Sequence, residues 1–384
     1  MSESGRIRVL VVDDSALMRK LIPAMLARDP SIEVVGTAMD GAFALKKIEE
    51  LRPDVVTLDL EMPRMDGMET LRLIMRRAPM PVVLFSTHSK EGAYATLKAL
   101  AFGAIDFVAK PQEAAAGHLD SISDLLIEKI KVAKRAAGRR LPAVVVSDDP
   151  PRGKKKKSSR SALPPTRIIA IGVSTGGPNA LQYLLSQIPE DFPASFIVVQ
   201  HMPEGFTEML AKRLDECCAL DVQEARSGDL LAAGRVLICP GNRHITVRRM
   251  PRGDLAVLSD GPPINGHRPS ADVLFHSVAQ QFGLTAVGLL MTGMGEDGAE
   301  GLGALKAAGG MTIAQSEDTC VVSGMPRAAI SKGYANKVVP LDALPAFLVQ
   351  NYGGDRAGGE KFDKNSKNDK NEKSERTPVS SHRT

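Results

Sequence analysis

Short apolar runs alternate with amphipathic stretches along the first 130 residues of the chain. The runs are rich in Val, Ile and Leu and lack polar alternation, which is typical of strands buried on both faces. The stretches between them carry apolar residues at helical spacing, as in residues 15–28 and 119–137. This order predicts a parallel sheet of five strands with five helices on its two sides. The expected strands are IRVLVV, IEVVGTA, DVVTLDL, PVVLFST and AIDFVAK.

A second series of the same kind runs from Ile168 to Gln350. We expect its strands at RIIAIGV, ASFIVVQH, RVLICPG, LTAVGLLMTG and MTIAQS. The segment ITVRRMPRGDLAVLSD predicts a β-hairpin with its turn at Arg252-Gly253-Asp254, and a closing helix is expected over residues 341–350. The alternation predicts a second doubly wound α/β domain with a largely parallel sheet.

Two segments lack this alternation and set the expected domain boundaries. Residues 131–167 contain Pro, Ser and a block of four lysines at 154–157, which predicts a flexible basic linker. Residues 351–384 are rich in Lys, Asn, Ser, Asp and Gly, which predicts a disordered polar tail. The expected folded domains are therefore residues 6–130 and residues 168–350.

The positive charge of the chain is concentrated in the linker. The whole sequence has 49 basic and 45 acidic residues, a formal net charge of +4. The expected linker alone has a net charge of +10, whereas residues 1–130 and residues 168–350 have net charges of −3 and −5. A protein that reads nucleic acid needs a basic folded surface, so we expect no nucleic-acid partner.

Other features of the composition favour a cytoplasmic location. No apolar run approaches the 18 residues or so that a membrane-spanning helix needs, so we expect no membrane insertion. The N-terminus leads directly into a charged Asp pair and does not resemble a secretory signal. The four cysteines show neither zinc-site spacing nor a disulfide framework, which indicates a reducing compartment.

Charged and hydroxyl side chains lie where the strands of the first domain are expected to end. Asp13 and Asp14 follow the first strand, Asp59 ends the third, Ser86 ends the fourth and Lys110 follows the fifth. The carboxyl ends of parallel strands share one edge of the sheet, where ligands collect. Three converging carboxylates repel one another unless a hard cation neutralises them, which predicts a Mg²⁺ site. A single Asp here could instead be a helix N-cap, and for Asp14 alone that explanation is the simpler one.

The motifs VVDDS, LDLEMPRMDG, FST and AIDFVAKP resemble the receiver domain of two-component response regulators, which is a flavodoxin-like five-stranded parallel fold. The resemblance implies that Asp59 accepts a phosphoryl group from a histidine kinase and that Phe107 holds the aromatic switch position. It also implies the residues around the acceptor: the metal ligands Asp13, Asp14, Asp59 and the main-chain carbonyl of Glu61, and the phosphoryl contacts Ser86 and Lys110.

The second domain begins with a strand, a Gly-rich turn and a helix in the sequence IIAIGVSTGGPNALQYLL. The frame Gly172-x-Ser174-x-Gly176 matches the nucleophile-elbow pattern, in which a tight turn exposes a serine hydroxyl beside free backbone amides. Two alternatives stay open for this motif by itself. The turn could cradle a phosphate, or Ser174 could be a helix N-cap.

A serine nucleophile needs a base and an acid that orients it. His201 directly follows the apolar strand SFIVVQ, and Asp297 follows LLMTGMGE, so both are expected at the sheet edge that carries Ser174. His244 lies beyond a Pro-Gly turn and is a candidate for the substrate wall, whereas His276 lies within a helical pattern. The chain order Ser, His, Asp differs from that of the α/β-hydrolases.

The segments GVSTGGPNAL, VVQHMPEGFT, CPGNRH and LLMTGMGEDGA resemble the catalytic domain of the chemotaxis protein-glutamate methylesterases, a Rossmann-like doubly wound α/β fold. The resemblance implies Ser174 as nucleophile, His201 as general base and acid, and Asp297 as orienting acid. It further implies oxyanion donors in the main chain around Thr175 and Met294.

The resemblance implies a function for the whole chain. A receiver, a linker and an esterase in that order imply an enzyme that removes methyl esters from glutamates of chemoreceptors, deamidates glutamine, and is controlled by phosphorylation. The esterase domain would need no cofactor. A regulator with a DNA-binding output predicts a basic helical second domain, which the acidic, Gly-rich sequence disfavours. An adaptor that uses an esterase-like domain only for docking stays open.

Overall fold

The computed structural model describes residues 5–87, 89–110, 116–137 and 163–354. The lysine block of the expected linker and nearly all of the expected tail lie outside these residues. In the described part of the chain, no helix combines the length and apolar character needed to cross a membrane.

The first lobe is a five-stranded parallel sheet with strand order β2-β1-β3-β4-β5. This order, with five helices following the five strands, confirms the expected flavodoxin-like fold. Its strands are β1 (Ile7–Val12), β2 (Ile32–Ala38), β3 (Val55–Leu58), β4 (Val82–Ser86) and β5 (Asp106–Ala109), and its helices are α1 (Met18–Leu26), α2 (Gly41–Leu51), α3 (Gly67–Arg77), α4 (Lys90–Ala101) and α5 (Ala116–Ala136).

Helix α1 is shorter than the helical pattern over residues 15–28 predicted. The segment before it is a turn, in which the hydroxyl of Ser15 accepts a hydrogen bond from the amide of Met18. Arg19 reaches back from the helix and donates to the main-chain carbonyls of Asp13 and Asp14. These contacts hold the segment before α1 in a turn, so the helix begins only at Met18. They also keep Asp13 and Asp14 at the carboxyl edge of the sheet.

The second lobe is a seven-stranded sheet with strand order β14-β13-β12-β6-β7-β9-β8, and every neighbouring pair is parallel. A separate antiparallel hairpin, β10–β11, confirms the hairpin expected around Gly253. The strands are β6 (Arg167–Val173), β7 (Ala194–Gln200), β8 (Asp221–Glu224), β9 (Arg235–Ile238), β10 (His244–Arg248), β11 (Leu255–Ser259), β12 (Ala286–Leu290), β13 (Met311–Gln315) and β14 (Lys337–Val339). The helices are α6 (Gly177–Leu185), α7 (Phe206–Cys217), α8 (Ala271–Phe282), α9 (Ala299–Ala307), α10 (Gly324–Ser331) and α11 (Leu344–Tyr352).

The two outermost strands of this sheet were not expected from the sequence. Strand β8 has the sequence DVQE and buries only Val222, and β14 is three residues long with two exposed positions. Edge strands have one neighbour and little buried surface, so they lack the apolar run that marks a central strand. The closing helix α11 also begins at Leu344 rather than at residue 341.

The order of the strands creates a crevice at the centre of the sheet. The chain starts at the central strand β6, builds β7, β8 and β9 on one side, and then returns to build β12, β13 and β14 on the other. Ligands of doubly wound folds bind at the carboxyl ends of the strands where the order reverses. The strands β7, β6 and β12 therefore define the place where a site is expected.

Candidate functional site

Ser174, His201 and Asp297 come from the carboxyl ends of these three neighbouring strands. Ser174 follows β6 directly, His201 follows β7 directly, and Asp297 lies in the loop between β12 and α9. Pairing of β6 with β7 and with β12 brings the three segments together although they are distant in the sequence. The three residues thus lie at one edge of the sheet, where the predicted strands end.

Ser174 lies in a sharp turn rather than at a helix cap. The N-cap of α6 is Gly176, which has φ 77° and makes no side-chain capping bond. A Cβ at Gly176 would lie 2.3 Å from Val321 Cγ2, so only glycine fits there. The amide of Ser174 donates to the carbonyl of Thr292 at 2.9 Å, which ties the turn to the end of β12. The N-cap explanation of Ser174 therefore fails.

Asp297 is nearly fully buried and accepts hydrogen bonds from two directions. His201 Nε2 lies 2.8 Å from its Oδ2. The N-terminus of α8 supplies the rest, with the Ser270 hydroxyl and the Ala271 amide each at 2.6 Å. Burial opposes the charged form of Asp297, but these hydrogen bonds outweigh it and lower its pKa below the usual value. A buried carboxylate at a helix N-terminus is thus held ionised beside His201.

The second ring nitrogen of His201, Nδ1, is buried and has no hydrogen-bond partner among the described residues. The structure places no hydrogen bond between this ring and the hydroxyl of Ser174 in the described part of the chain. Both residues line the same cavity, so the two groups face a common space.

The main-chain amides of Thr175 and Met294 donate no hydrogen bond to any described residue, and both residues line the cavity beside Ser174. These two amides thus carry no hydrogen bond that would have to be broken for them to donate to a bound group. His244 lies elsewhere: it is 3% exposed, accepts from the amide of Ser270 and contacts the carbonyl of Pro262 at 3.0 Å. The interpretation of His244 as a substrate wall is not supported by this position, because both ring nitrogens are used to support the loop before α8.

The cavity has a volume of about 1070 Å³ and is bounded by both lobes. The second lobe contributes the side chains around Ser174, together with His267 and Arg268. The first lobe contributes residues of β5 and α5, among them Phe107 and Leu125. Access to Ser174 therefore depends on where the first lobe lies.

Gln200, the last residue of β7, joins the two segments that carry the serine and the histidine. Its side-chain amide donates to the carbonyl of Ser174 at 3.0 Å and to the carbonyl of His201 at 3.2 Å. Sequence reasoning missed Gln200, as it missed Ser270, because neither position carries a motif. Ser270 could have been identified only as the first residue of a predicted helix.

At the edge of the first lobe, Asp13, Asp14 and Asp59 each place a carboxylate oxygen within 4.8 Å of the others. Lys110 Nζ lies 2.7 Å from Asp59 Oδ2 and 3.1 Å from Asp13 Oδ2. Burial raises the pKa of Asp59 to about 6, although Lys110 pulls it the other way. Asp13 Oδ2 is buried and has the Lys110 ammonium as its neighbour, so the carboxylate oxygens of this cluster fit a hard divalent cation.

Two further expected residues surround this acidic cluster. Ser86 is 2% exposed and its hydroxyl accepts a hydrogen bond from Thr96 at 2.6 Å. The amide of Glu61 donates to Asp59 Oδ1 at 3.2 Å, which places the Glu61 main chain next to the acceptor. Asp40, which also follows a strand, is instead the N-cap of α2.

The two lobes meet through polar and aromatic contacts beside the cavity. Asp106 of β5 accepts a hydrogen bond from the hydroxyl of Thr175 at 2.6 Å, and Lys129 of α5 lies 2.7 Å from the same carboxylate. Phe107 stacks on Phe206 with ring centroids 4.6 Å apart. Sequence reasoning did not anticipate Asp106, because it is one of several acids in the first lobe and its partner belongs to the other lobe.

Helix α4 extends this contact surface. The side chain of Asn179 in α6 donates to the carbonyl of Leu100 at 2.8 Å. Lys90 at the start of α4 lies 3.5 Å from Glu208 of α7. The surface formed by α4, β5 and α5 therefore packs directly beside Ser174.

Comparison with protein families identifies both lobes. Residues 169–348 match the CheB methylesterase family, and residues 9–119 match the response regulator receiver domain. A protein-glutamate methylesterase/protein-glutamine glutaminase of Koribacter versatilis is 61% identical over 347 residues, which cover 89% of this chain and 95% of the relative. One from Symbiobacterium thermophilum is 48% identical over 355 residues, with 90% and 97% covered.

Among solved structures, the crystal structure of the Thermotoga maritima CheB methylesterase catalytic domain is 39% identical and gives a TM-score of 0.47. The match covers 48% of this chain and 97% of that one.

Proposed function

Because the chain belongs to the protein-glutamate methylesterase/protein-glutamine glutaminase family of response regulators, we propose that it demethylates chemoreceptor glutamates with Ser174, His201 and Asp297. The observation that carries this proposal is the meeting of the three residues at the ends of β6, β7 and β12, with His201 and Asp297 at 2.8 Å. The same site would deamidate receptor glutamines.

The chemistry proceeds in two halves. His201 removes the proton of the Ser174 hydroxyl as the oxygen attacks the ester carbonyl, and methanol leaves with a proton returned from His201. Water activated by His201 then releases free glutamate from the acyl-enzyme. For glutamine the leaving group is ammonia, and the second half is the same.

The surrounding groups lower the barrier of both halves. The free amides of Thr175 and Met294 stabilise the oxyanion, and each such donor contributes roughly 10²–10³-fold to the rate. Asp297 stays ionised, keeps the His201 ring in one orientation and stabilises the imidazolium that forms. Ser270 and the N-terminus of α8 hold Asp297 in turn.

The receiver domain controls this site through Asp59. We assign Asp59 as the acceptor of a phosphoryl group from a chemotaxis histidine kinase. Asp13, Asp14, Asp59 and the Glu61 carbonyl would hold Mg²⁺, which supplies charge neutralisation for the phosphoryl oxygens. Lys110 and Ser86 would contact those oxygens, and Lys110 would leave its position against the free carboxylates of Asp59 and Asp13.

The contacts beside the cavity support a two-state control of access. In the unphosphorylated state, Asp106 and Phe107 of β5 rest against Thr175 and Phe206, so the receiver restricts the entry of a receptor helix. Lys110 follows this strand immediately, so a change at Lys110 is transmitted to the contact surface. Phosphorylation would favour a state in which the receiver has moved away.

Mass spectrometry of methylated receptor peptides tests the proposal. We expect the wild-type protein to remove methyl groups, the Ser174→Ala variant to remove none above background, and Asp59→Asn to keep the basal rate without activation by a small phosphodonor. Demethylation by Ser174→Ala would refute the nucleophile. No demethylation by the wild type, with receptor binding intact, would favour a docking adaptor.

A further inference from the structure

The imidazole ring of His267 lies flat against the ring of His201. The ring centroids are 4.1 Å apart and the planes are inclined by 8°. Nothing in the proposed proton transfers uses His267, yet it lines the cavity beside Ser174. The stack covers one face of the His201 ring, whose side chain is only 9% exposed.

The backbone around His267 is built to hold that ring. Ile264 and His267 exchange two main-chain hydrogen bonds, of 3.0 and 2.9 Å, around Asn265 and Gly266. Both central residues have positive φ, 51° and 79°. Asn-Gly in this conformation is the two-residue turn that closes tight hairpins. The turn therefore fixes the backbone that carries His267, and the stack on His201 sets the position of its ring.

The neighbours of this turn are also anchored. The side chain of Asn265 donates to Asp272 at 3.1 Å, at the start of the helix that holds Asp297. Arg268 bonds to the side chain of Asn242 and to the carbonyls of Asp260 and Gly261. The turn is thus connected on one side to the orienting acid and on the other to the hairpin β10–β11.

His267 is neutral in this position. Burial and the neighbouring His201 lower the pKa of His267 to about 4, and Asp297 opposes them only in part. A neutral aromatic face attracts a cation, whereas a second imidazolium would repel it. When His201 takes the proton of Ser174, the ring beside it therefore stabilises the charged form and keeps water from one face.

We propose that His267 is a positioning residue, which holds the His201 ring between Asp297 and Ser174 by stacking on it. The inference rests on the proposed role of His201 as the base. In this role the face of the His267 ring holds His201 in place, and the ring nitrogens of His267 transfer no proton. A neutral aromatic side chain should therefore replace it, and a small side chain should not.

Full-length His267→Ala and His267→Phe test this inference with kcat and KM on methylated receptor, in the presence of phosphodonor. We expect His267→Ala to lower kcat by about 10- to 100-fold, because a misplaced base costs up to about 10²-fold. KM should change less than about three-fold, since the receptor contacts remain. His267→Phe should stay within about five-fold of the wild-type kcat.

A second readout separates base activation from receptor binding. A fluorophosphonate phosphonylates Ser174 as His201 takes the hydroxyl proton and fluoride leaves, so its labelling rate should fall in His267→Ala and recover in His267→Phe. The exposed His276 on α8 gives a matched control, and His276→Ala should label at the wild-type rate.

Two results would overturn the inference: unchanged kcat and labelling in His267→Ala, or a Phe variant as slow as the Ala variant. Wild-type activity in His201→Ala would overturn the proposed function itself, and the inference with it.

Discussion

The contact between Asp106 and Thr175 gives the sharpest test of control by the receiver. The perturbation is Asp106→Ala, which removes a carboxylate that is 7% exposed and contacts the Thr175 hydroxyl at 2.6 Å. It also removes the partner of Lys129, whose side chain is only 14% exposed. The Thr175 contact is lost only from the state in which the lobes are in contact, because Thr175 becomes hydrated when they separate. The Lys129 pair lies within the receiver and is lost from both states.

The size of the effect follows from the charge of the acceptor. A hydrogen bond to a charged group stabilises by about 1.5–3 kcal/mol. Each 1.4 kcal/mol or so is a factor of ten in an equilibrium constant, so the ratio of open to closed protein should rise by roughly 10- to 100-fold. The basal rate should rise by the same factor until the open state predominates.

The assay is methanol release from methylated receptor in an Asp59→Asn background, so that phosphorylation cannot contribute. Asp120→Ala is the matched control, because Asp120 is an exposed acid of α5 that pairs with Arg28 within the receiver. We expect Asp106→Ala to accelerate release and Asp120→Ala to leave it unchanged. A variant with an unaltered basal rate and a normal melting temperature would refute the reasoning.

Three more predictions follow from the site. Asp297→Asn should lower kcat by roughly 10³–10⁴-fold with little change in KM, as measured by methanol release, because His201 loses the anion that orients it. Gly177→Ala should cost about 1–3 kcal/mol in urea unfolding and reduce activity, because its Cβ would lie 1.9 Å from the buried Gln200 Oε1; wild-type stability would contradict the packing argument. Burial and the neighbouring His201 lower the pKa of His267 to about 4 from its ordinary value of 6.5. The unfolded chain therefore binds more protons between these two values, and the free energy of unfolding falls as pH drops through that window. The loss in the free energy of unfolding should reach at most about 3 kcal/mol. In His267→Phe, whose ring faces the same His201 and Asp297, this free energy should depend less on pH. Identical pH curves for the variant and the wild type would contradict a buried neutral His267.

Much of the fold could be predicted because its central strands carry continuous apolar runs. Val55 and the rest of β3 are buried at every position, and β6 is buried at all but its first residue. The ends of these strands are also what predicts that Ser174, His201 and Asp297 lie at one edge of the sheet. The acids Asp13 and Asp59 followed from the same reasoning.

The rest depended on contacts that one sequence does not encode locally. Strand β8 is mostly polar, so its pairing arises from the neighbour it finds in the sheet. In the sequence His244 follows a turn and His201 follows a strand, so both are candidates for a site. The two ring nitrogens of His244, however, form hydrogen bonds with Ser270 and Pro262. The role of Asp106 is set by Thr175, 69 residues away in the other lobe. Pairings between distant segments of this kind carry no periodic signal.

The strand order of the second lobe has a consequence for biosynthesis. Within the second lobe the chain lays down β6, β7, β8 and β9 first, and Asp297, which follows β12, arrives 96 residues after His201. A nascent chain that has folded only through β9 holds a serine and a histidine without the carboxylate between α8 and α9. Non-local pairing of this kind forms late. The proposed catalytic residues therefore come together only when β12 has paired with β6, so a chain that is unfinished on the ribosome lacks the complete site.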